Sequence, residues 1–499
     1  MSYKVDMTDI DREGTVSVTQ QLADRFAAAI ESNELAPGDK LPPTRALATE
    51  AGINHLTAAR VYKRLAEDGF VTAAVGRGTF VRSLTPGAEV EHGDDWQRLA
   101  LPDRSPSYSE EALADAFAFA NDREVISLAT GWPSPDLYPT EALTQITHEV
   151  VDEVGVEAFT YLTAPGLDDL REQLAERGRR VGYATDAEEV IVTSGAQQAI
   201  DLTVRALLEP GDVVAVESPT YSGLLSVLRA AGAQVIGVPV DDDGLDVDAL
   251  EALVGHDEVK LVALQSGCQN PTGCDLSDAR REQLAGLARE RNLLVLEDGV
   301  YGDLRFDGGK PRALRALAPA HVVYVDSLSK TVGGGLRVGW IAARGPVRER
   351  LALLKLESDF HSPTLTQHIA ARYLASGAYG EHLKRTAPLY QRRRDALLEA
   401  LDRHLPGEIH APVPHGGHHV WATLTRPTDE RTLYTESIRH GVSFVPGGAV
   451  STERRTQTSM RLSFSLLEPA EVEEGIKRLA RALREVRRRA RGPSTMTFS

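Results

Sequence analysis

The chain has 499 residues, 42% of them hydrophobic and 25% charged, enough apolar matter for more than one domain core and too balanced for wholesale disorder. Its 55 lysines and arginines against 72 aspartates and glutamates leave a net charge of −17, which excludes a surface that coats nucleic acid or an anionic membrane; a nucleic-acid site must be a local basic patch. Two cysteines, Cys268 and Cys274, exclude a disulfide framework, no eighteen-residue apolar run offers a membrane span, and the polar start at Met1–Ile10 lacks a secretion pattern, so a reducing cytoplasm is the expected compartment.

Three zones follow one another: a compact segment over 15–83, a linker rich in Ser, Pro and acid over 84–121, and a long α/β-patterned part over 122–490. Ser17 and Gln20 have capping-box spacing ahead of Leu22, Phe26, Ala29 and Ile30 on one helical face, and this first helix ends near Ala36–Asp39. Pro42 and Pro43 suit the start of a second helix, Thr44–Glu50, after which Gly52 turns the chain toward Asn54, a good N-cap for a third. There Ala58, Val61, Tyr62 and Leu65 share a packing face, while Thr57, Arg60 and Arg64 share another. Two short apolar runs flank Gly76, Arg77 and Gly78 as a wing with a basic tip, completing a winged helix-turn-helix. From Lys40 to Arg82 seven basic residues face three acidic ones, a local +4 inside a chain at −17, the footprint of a nucleic-acid site. In the linker, Trp96 and Leu99 are candidates to dock on a neighbouring domain.

Seven continuous apolar runs alternate with amphipathic helical patterns: V-I-V-T-S, V-V-A-V-E-S, Q-V-I-G-V-P-V, L-V-A-L-Q-S, L-L-V-L-E-D, V-V-Y-V-D-S and V-G-W-I-A. Strands apolar on both sides imply an α/β fold with a seven-stranded, mainly parallel sheet covered on both faces. The large part spans about 145–372; from about 373 to 490 a smaller α/β part follows, closed by a basic run, A-L-R-E-V-R-R-R-A-R, that reads as a solvated terminal helix. His418 and His419 are adjacent on a strand and point to opposite faces, so no metal site is expected. T-V-G-G-G-L-R follows the strand of D-S-L-S-K and lacks the acidic residue of a ribose clamp, so it is not a dinucleotide fingerprint.

The string L-P-P-T-R-A-L-A-T-E-A-G-I-N-H-L-T-A-A-R-V-Y-K-R-L-A-E-D-G-F-V-T-A-A-V-G-R-G-T-F-V resembles the GntR-type winged-helix DNA-binding domain from end to end. The resemblance implies that Arg45 and the third helix meet double-stranded DNA, with Thr57, Arg60 and Arg64 on the groove side and Arg77 reaching toward the minor groove. Arg45, Lys63 and Arg77 are expected to position the domain on phosphates and Thr57 or Arg60 to read bases. One departure stands out: His55, followed by Leu56, occupies the start of the third helix where the family often has arginine, so a weaker or a differently specified operator contact is expected.

Further along, S-G-A-Q-Q-A from Ser194, P-T-Y ending at Tyr221, Q-N-P-T-G with Asn270, E-D-G-V-Y with Asp298 and Tyr301, and D-S-L-S-K ending at Lys330 resemble, in order and spacing, the fold-type I pyridoxal phosphate (PLP) enzymes of the aspartate-aminotransferase-like group. The resemblance implies an aldimine at Lys330, Asp298 on the pyridine nitrogen, Asn270 and Tyr301 on the phenolic oxygen and Tyr221 stacked on the ring. Gly195, Ala196 and Gln197, at a strand-to-helix junction, would hold the phosphate with Ser327 and Arg337. Tyr161 would be lent across a homodimer to the neighbour's phosphate, and Arg461, in M-R-L-S-F-S, would grip a ligand carboxylate.

Winged helix, linker and aminotransferase-like part in this order resemble the MocR subfamily of GntR-type transcription regulators. That implies a PLP-dependent regulator of promoter DNA that senses PLP, or an amino acid or amine, at Lys330. The alternative is a working aminotransferase, from amino acid and 2-oxo acid, with an appended winged helix.

Overall fold

A computed structural model describes residues 17–31, 35, 39–67, 70–74, 78–81, 114–115, 118–119, 124–181, 183, 186–256, 258–309, 312–453 and 457–490. The chain divides into two compact units, before and after the junction at 104/105. Arg77, Trp96 and Leu99 and most of the predicted linker lie outside the described residues.

In the first unit, α1 (Val18–Glu31) starts where Ser17 Oγ accepts the Gln20 N–H at 3.3 Å. Gln20's own amide turns to Asp24 at 2.6 Å, so the capping box closes from one side only. Helix α2 (Thr44–Glu50) ends in a turn at Gly52, whose φ of 62° suits glycine. Asn54 Oδ1 then accepts the Thr57 N–H at 2.7 Å and caps α3 (His55–Glu67). Strands β1 (Val71–Ala74) and β2 (Gly78–Val81) pair antiparallel as the wing. The small core joins Leu22 and Phe26 of α1, Leu47 of α2 and Ala58, Val61 and Leu65 of α3. The Phe26 and Tyr62 rings meet edge to face at 6.0 Å, and the Tyr62 hydroxyl donates to the Pro42 carbonyl at 2.6 Å, tying α3 to the entry of α2.

The second unit opens with β3 (Ile126–Ser127), α4 (Thr140–Val154) and α5 (Asp168–Val181). Its sheet comprises β4 (Val190–Thr193), β5 (Val213–Ser218), β6 (Gln234–Asp241), β7 (Gly244–Leu245), β8 (Val259–Leu264), β9 (Leu294–Asp298), β10 (Val322–Ser327) and β11 (Gly339–Ala342). The order is β4-β11-β10-β9-β8-β5-β6-β7. From β10 through β9, β8 and β5 to β6 the pairing is parallel, and only β11 and the short β7 run against it. All seven apolar runs form strands; the eighth, β7, is a two-residue return of β6 through the Asp242–Asp243 turn, too short to leave a periodic signal.

Alternation sends Val214 and Val216 to one apolar cluster and Ala215 to the other, and divides Leu261 and Ala263 from Val262 and Leu264 in the same way. Helix α6 (Ala196–Leu207) and helices 222–230 and 345–359 cover the first face; helices 247–256, 278–291 and 314–317 cover the second.

A smaller antiparallel sheet, β12 (Ile409–His410), β13 (His419–Leu424), β16 (Ser459–Ser463) and β15 (Val445–Pro446) in that order, packs under helices 378–404, 430–439 and 469–490. Strand β14 (Val442–Ser443) pairs in parallel with β3. The terminal basic helix is not simply solvated: Val472, Ile476, Leu479, Leu483 and Val486 are buried in the core, and its arginines pair, Arg487 with Glu408 and Arg489 with Glu436. Among the described residues no helix is long and apolar enough to cross a membrane.

Because so small a core rests on few large side chains, Phe26→Ala should cost the winged helix about 3–5 kcal/mol. The N-terminal unit should become rapidly cleaved in limited proteolysis while the near-UV circular dichroism of the remainder is unchanged.

Candidate functional site

On α3 the buried stripe Ala58, Val61, Tyr62 and Leu65 leaves Arg60, Lys63 and Arg64 exposed and Thr57 partly so. Thr57's N–H is occupied by the Asn54 cap. Arg45 is exposed on α2. Every predicted DNA residue that is described therefore lies at the surface of the first unit.

In the second unit the parallel strands deliver their following loops to one edge of the sheet, where a cavity of about 500 Å³ opens. It is lined by Ala196 and Gln197 after β4, Tyr221 after β5, Asn270 after β8, Asp298 and Tyr301 at β9, Ser327, Lys330 and Arg337 around β10, and Arg461 of β16. Gly195 adjoins it as the N-cap of α6. Of the residues expected to contact the cofactor or its ligand, only Tyr161 lies apart: it is 87% exposed, with its ring against His361.

At the deep end, Gln265 Nε2 donates to Asp298 Oδ2 at 2.8 Å and the Val300 N–H to Asp298 Oδ1 at 3.2 Å. Gln265 Oε1 accepts the Asn270 N–H at 2.7 Å, and the Gln265 N–H donates to Glu217 at 2.9 Å. Burial pushes the Asp298 carboxyl up to about 6, opposed by the Gln265 and Val300 bonds and by Lys330. Burial pushes the Glu217 carboxyl up to about 8, against the bonds from Gln265 and Gln269.

Lys330 Nζ donates to the Gly131 carbonyl at 2.9 Å and stands 5.9 Å from the centre of the Tyr301 ring. Burial, reinforced by Arg461, lowers its pKa to about 8 against the pull of Asp298. Arg461 donates through Nη1 to Asn270 Oδ1 at 3.0 Å and through Nη2 to the Ala129 carbonyl at 2.5 Å, while its buried Nε has no partner among the described residues. The Tyr301 hydroxyl lies 3.0 Å from His419 Nε2.

At the other end α6 starts after Gly195, whose φ is 100°. A Cβ there would come within 2.6 Å of Arg337 Nη2, and one on Gly339 within 2.6 Å of the Gly195 Cα. The two glycines thus keep open a cradle between the helix N-terminus and a guanidinium that also bonds the Ser194 carbonyl. Ser327 Oγ accepts the Ser329 N–H at 3.2 Å, and Ser329 Oγ is buried with no partner among the described residues. Helix dipole, arginine and hydroxyls fit a phosphate; Asp298 and the half-buried Lys330 fit a pyridine nitrogen and an aldehyde. The residues present therefore match PLP, with the open cradle and the orphan hydroxyl as the marks of fit.

Several residues at this site escape the sequence reading: Gln265, Glu217, Ser329, Gly131 and His419. Gln265 had a usable signal, a polar residue at the end of the apolar run L-V-A-L. His419 had none, because its partner Tyr301 is 118 residues away. His418 and His419 do not separate cleanly to opposite sides: His418 precedes β13, and both rings lie 5.6 Å from Tyr301. Burial keeps both imidazoles neutral at ordinary pH, His418 being lowered to about 3. Among the described residues no three His, Cys, Asp or Glu gather into a metal-holding group.

The family model for aminotransferase class I and II matches residues 123–479, and that for bacterial regulatory proteins of the gntR family matches residues 18–81. The chain is 30% identical over 483 residues, 95% of its length and 98% of the other's, to the uncharacterized HTH-type transcriptional regulator YisV of Bacillus subtilis. It is 26% identical, over 95% of its length and 96% of the other's, to the probable rhizopine catabolism regulatory protein MocR of Rhizobium meliloti. Among solved structures it is similar to LysN, the alpha-aminoadipate aminotransferase of Thermus thermophilus complexed with N-(5'-phosphopyridoxyl)-L-leucine, at a TM-score of 0.71 and 30% identity over 79% of this chain and 99% of that one. The cavity at the ends of parallel strands and the winged helix ahead of it are accounted for together: the chain belongs to the aminotransferase class I and II family, in the MocR type in which that domain follows a gntR-type DNA-binding domain.

Proposed function

We propose that this chain is a cytoplasmic, homodimeric transcription regulator that grips operator DNA with its winged helix and senses PLP, or an amino acid or amine, at Lys330. One observation carries the reading: a cationic recognition helix and a cofactor-type cavity share one polypeptide. We take the working divisions as a winged helix at 15–83, a linker at 84–121 and an aminotransferase-like part at 122–490, divided near 373. PLP, when bound, supplies an aldehyde that captures amines and a ring that withdraws electrons.

The chain's own residues do the rest. Lys330, lowered to about 8 by burial, offers a neutral, nucleophilic amine far more readily than a surface lysine, whose pKa is about 10.4. Asp298, at about 6, is a carboxylate at neutral pH and can hold a proton on a pyridine nitrogen. Burial raises Tyr301 above the ordinary phenol range, so its hydroxyl keeps its proton and can donate to a phenolate oxygen. Arg461, a planar cation with its Nε unpartnered, can pair with a ligand carboxylate. The α6 N-terminus, Ser327 and Arg337 can cradle a phosphate. Exposed Val156, Phe159 and Phe360 accompany Tyr161, which supports a homodimer that covers this strip and brings Tyr161 to the neighbour's phosphate site.

For regulation, ligand binding can shift the protein between two DNA-binding arrangements by no more than its differential affinity for them, and DNA must alter ligand affinity by the same factor. The second reading, a working aminotransferase, is favoured by the convergence of Lys330, Asp298, Asn270, Tyr301 and Arg461 on one cavity. Many turnovers of an amino acid with a 2-oxo acid, lost in Lys330→Ala, would establish it.

Two outcomes test these assignments. In cofactor-free protein, acylation of Lys330 followed by peptide mass spectrometry should rise with a midpoint near pH 8, because only the neutral amine reacts. Asp298→Asn should move that midpoint down by removing the nearby negative charge, whereas a wild-type midpoint near about 10.4 would overturn the assignment. Replacing Arg60 and Arg77 together by alanine should abolish promoter binding at fixed salt with cofactor uptake intact; unchanged DNA affinity would remove the regulator reading.

A further inference from the structure

Helix α3 carries a feature that a cationic DNA face does not need. Leu56, in its first turn, is 71% exposed, and it is the only large hydrophobic residue so exposed among the described residues of the N-terminal unit. Leu56, Arg60 and Lys63 stand at i, i+4 and i+7, so they form one stripe along the helix. The stripe lies opposite Ala58, Val61 and Leu65, which are buried. The leucine is thus at the centre of the outward face, one turn ahead of Arg60 and two ahead of Lys63, and no packing among the described residues of the unit explains it.

In a helix-turn-helix the N-terminal residues of the recognition helix approach the base edges. A leucine side chain can neither donate nor accept a hydrogen bond, so polar base edges and phosphates offer it nothing. The one apolar feature of the major groove is the C5-methyl group of thymine. We propose that Leu56 is a sequence-reading residue that packs on a thymine methyl in the major groove and so selects a T·A pair in each half-site. The proposal rests on the DNA-binding reading given above and adds to it the identity of a base and of the side chain that reads it.

The test uses the full-length, cofactor-loaded protein. Duplexes are selected from a random-sequence library at fixed salt, and in the enriched duplex each thymine is replaced singly by deoxyuridine, which lacks only the methyl group. At one thymine per half-site the wild type should lose about fourfold in affinity, the worth of one buried methyl. Leu56→Ala, at an exposed position, should keep its melting temperature and bind the thymine and deoxyuridine duplexes equally. Leu56→Met should keep the preference, and Arg60→Ala should weaken both duplexes alike.

Wild-type indifference at every thymine, or full discrimination retained by Leu56→Ala, would overturn the inference while leaving DNA binding in place. Failure to enrich any sequence would overturn the DNA reading and this inference together.

Discussion

The architecture of the second unit depends on the parallel register of β9 against β10, which pairs Asp298 with Val325. It places a carboxylate at the end of one strand and, five residues beyond Val325 in the next connection, the lysine. Because β8, β5 and β6 continue the same direction, Asn270 and Tyr221 arrive at that edge too. A parallel sheet must be covered on both faces, so the cavity floor is sealed from water, and the same burial pushes Asp298 up and Lys330 down. Fold and chemistry are therefore one constraint: covering the sheet supplies the desolvation that tunes the lysine.

Burying charge at strand ends has a cost that the surrounding polar frame offsets. Arg177 pairs with Asp303 at 2.7 Å and Asp326 at 3.0 Å, and the Tyr379 hydroxyl donates to Asp303 at 2.5 Å, anchoring the segment after Tyr301 to the end of β10. Glu297, next to Asp298, accepts the Leu314 and Arg315 N–H groups at 2.9 Å each and bonds Ser266. These contacts lie outside the cavity, yet each fixes a residue within two positions of one that lines it. A partly satisfied network in such surroundings would be worse than none, and here the carboxylates nearest the cavity each have a donor.

Legibility in the sequence followed locality. The seven long strands were readable because burial on both faces leaves uninterrupted apolar runs, and α1 to α3 because their caps and packing stripes lie within a few residues of one another. Lys330, Asp298 and Asn270 were readable as members of an ordered set at strand ends. His419 was not, since its relation to Tyr301 exists only after β13 is laid against the cavity. Ser329 does not stand out in D-S-L-S-K, because nothing local distinguishes a serine lining the cavity from one facing away. The terminal helix misled for a related reason: its arginines dominate the string, while the buried Leu479, Leu483 and Val486 between them do the packing.

Charge bears on how the first unit can work. The segment from Lys40 to Arg82 contributes +4 to a total of −17, so the rest of the chain carries −21. A duplex is thus attracted by one small surface and repelled by the remainder, which orients the encounter and suppresses binding in other poses. The same imbalance limits nonspecific affinity, because few phosphates can be neutralised. If the chain works as the homodimer proposed above, its preference for one site would come from a small number of base contacts and from engaging two half-sites at once, each of which multiplies a modest individual affinity. Any ligand-driven change that altered the spacing of paired winged helices would then act on the largest factor available to it, since one geometry allows both half-sites to be held and another only one.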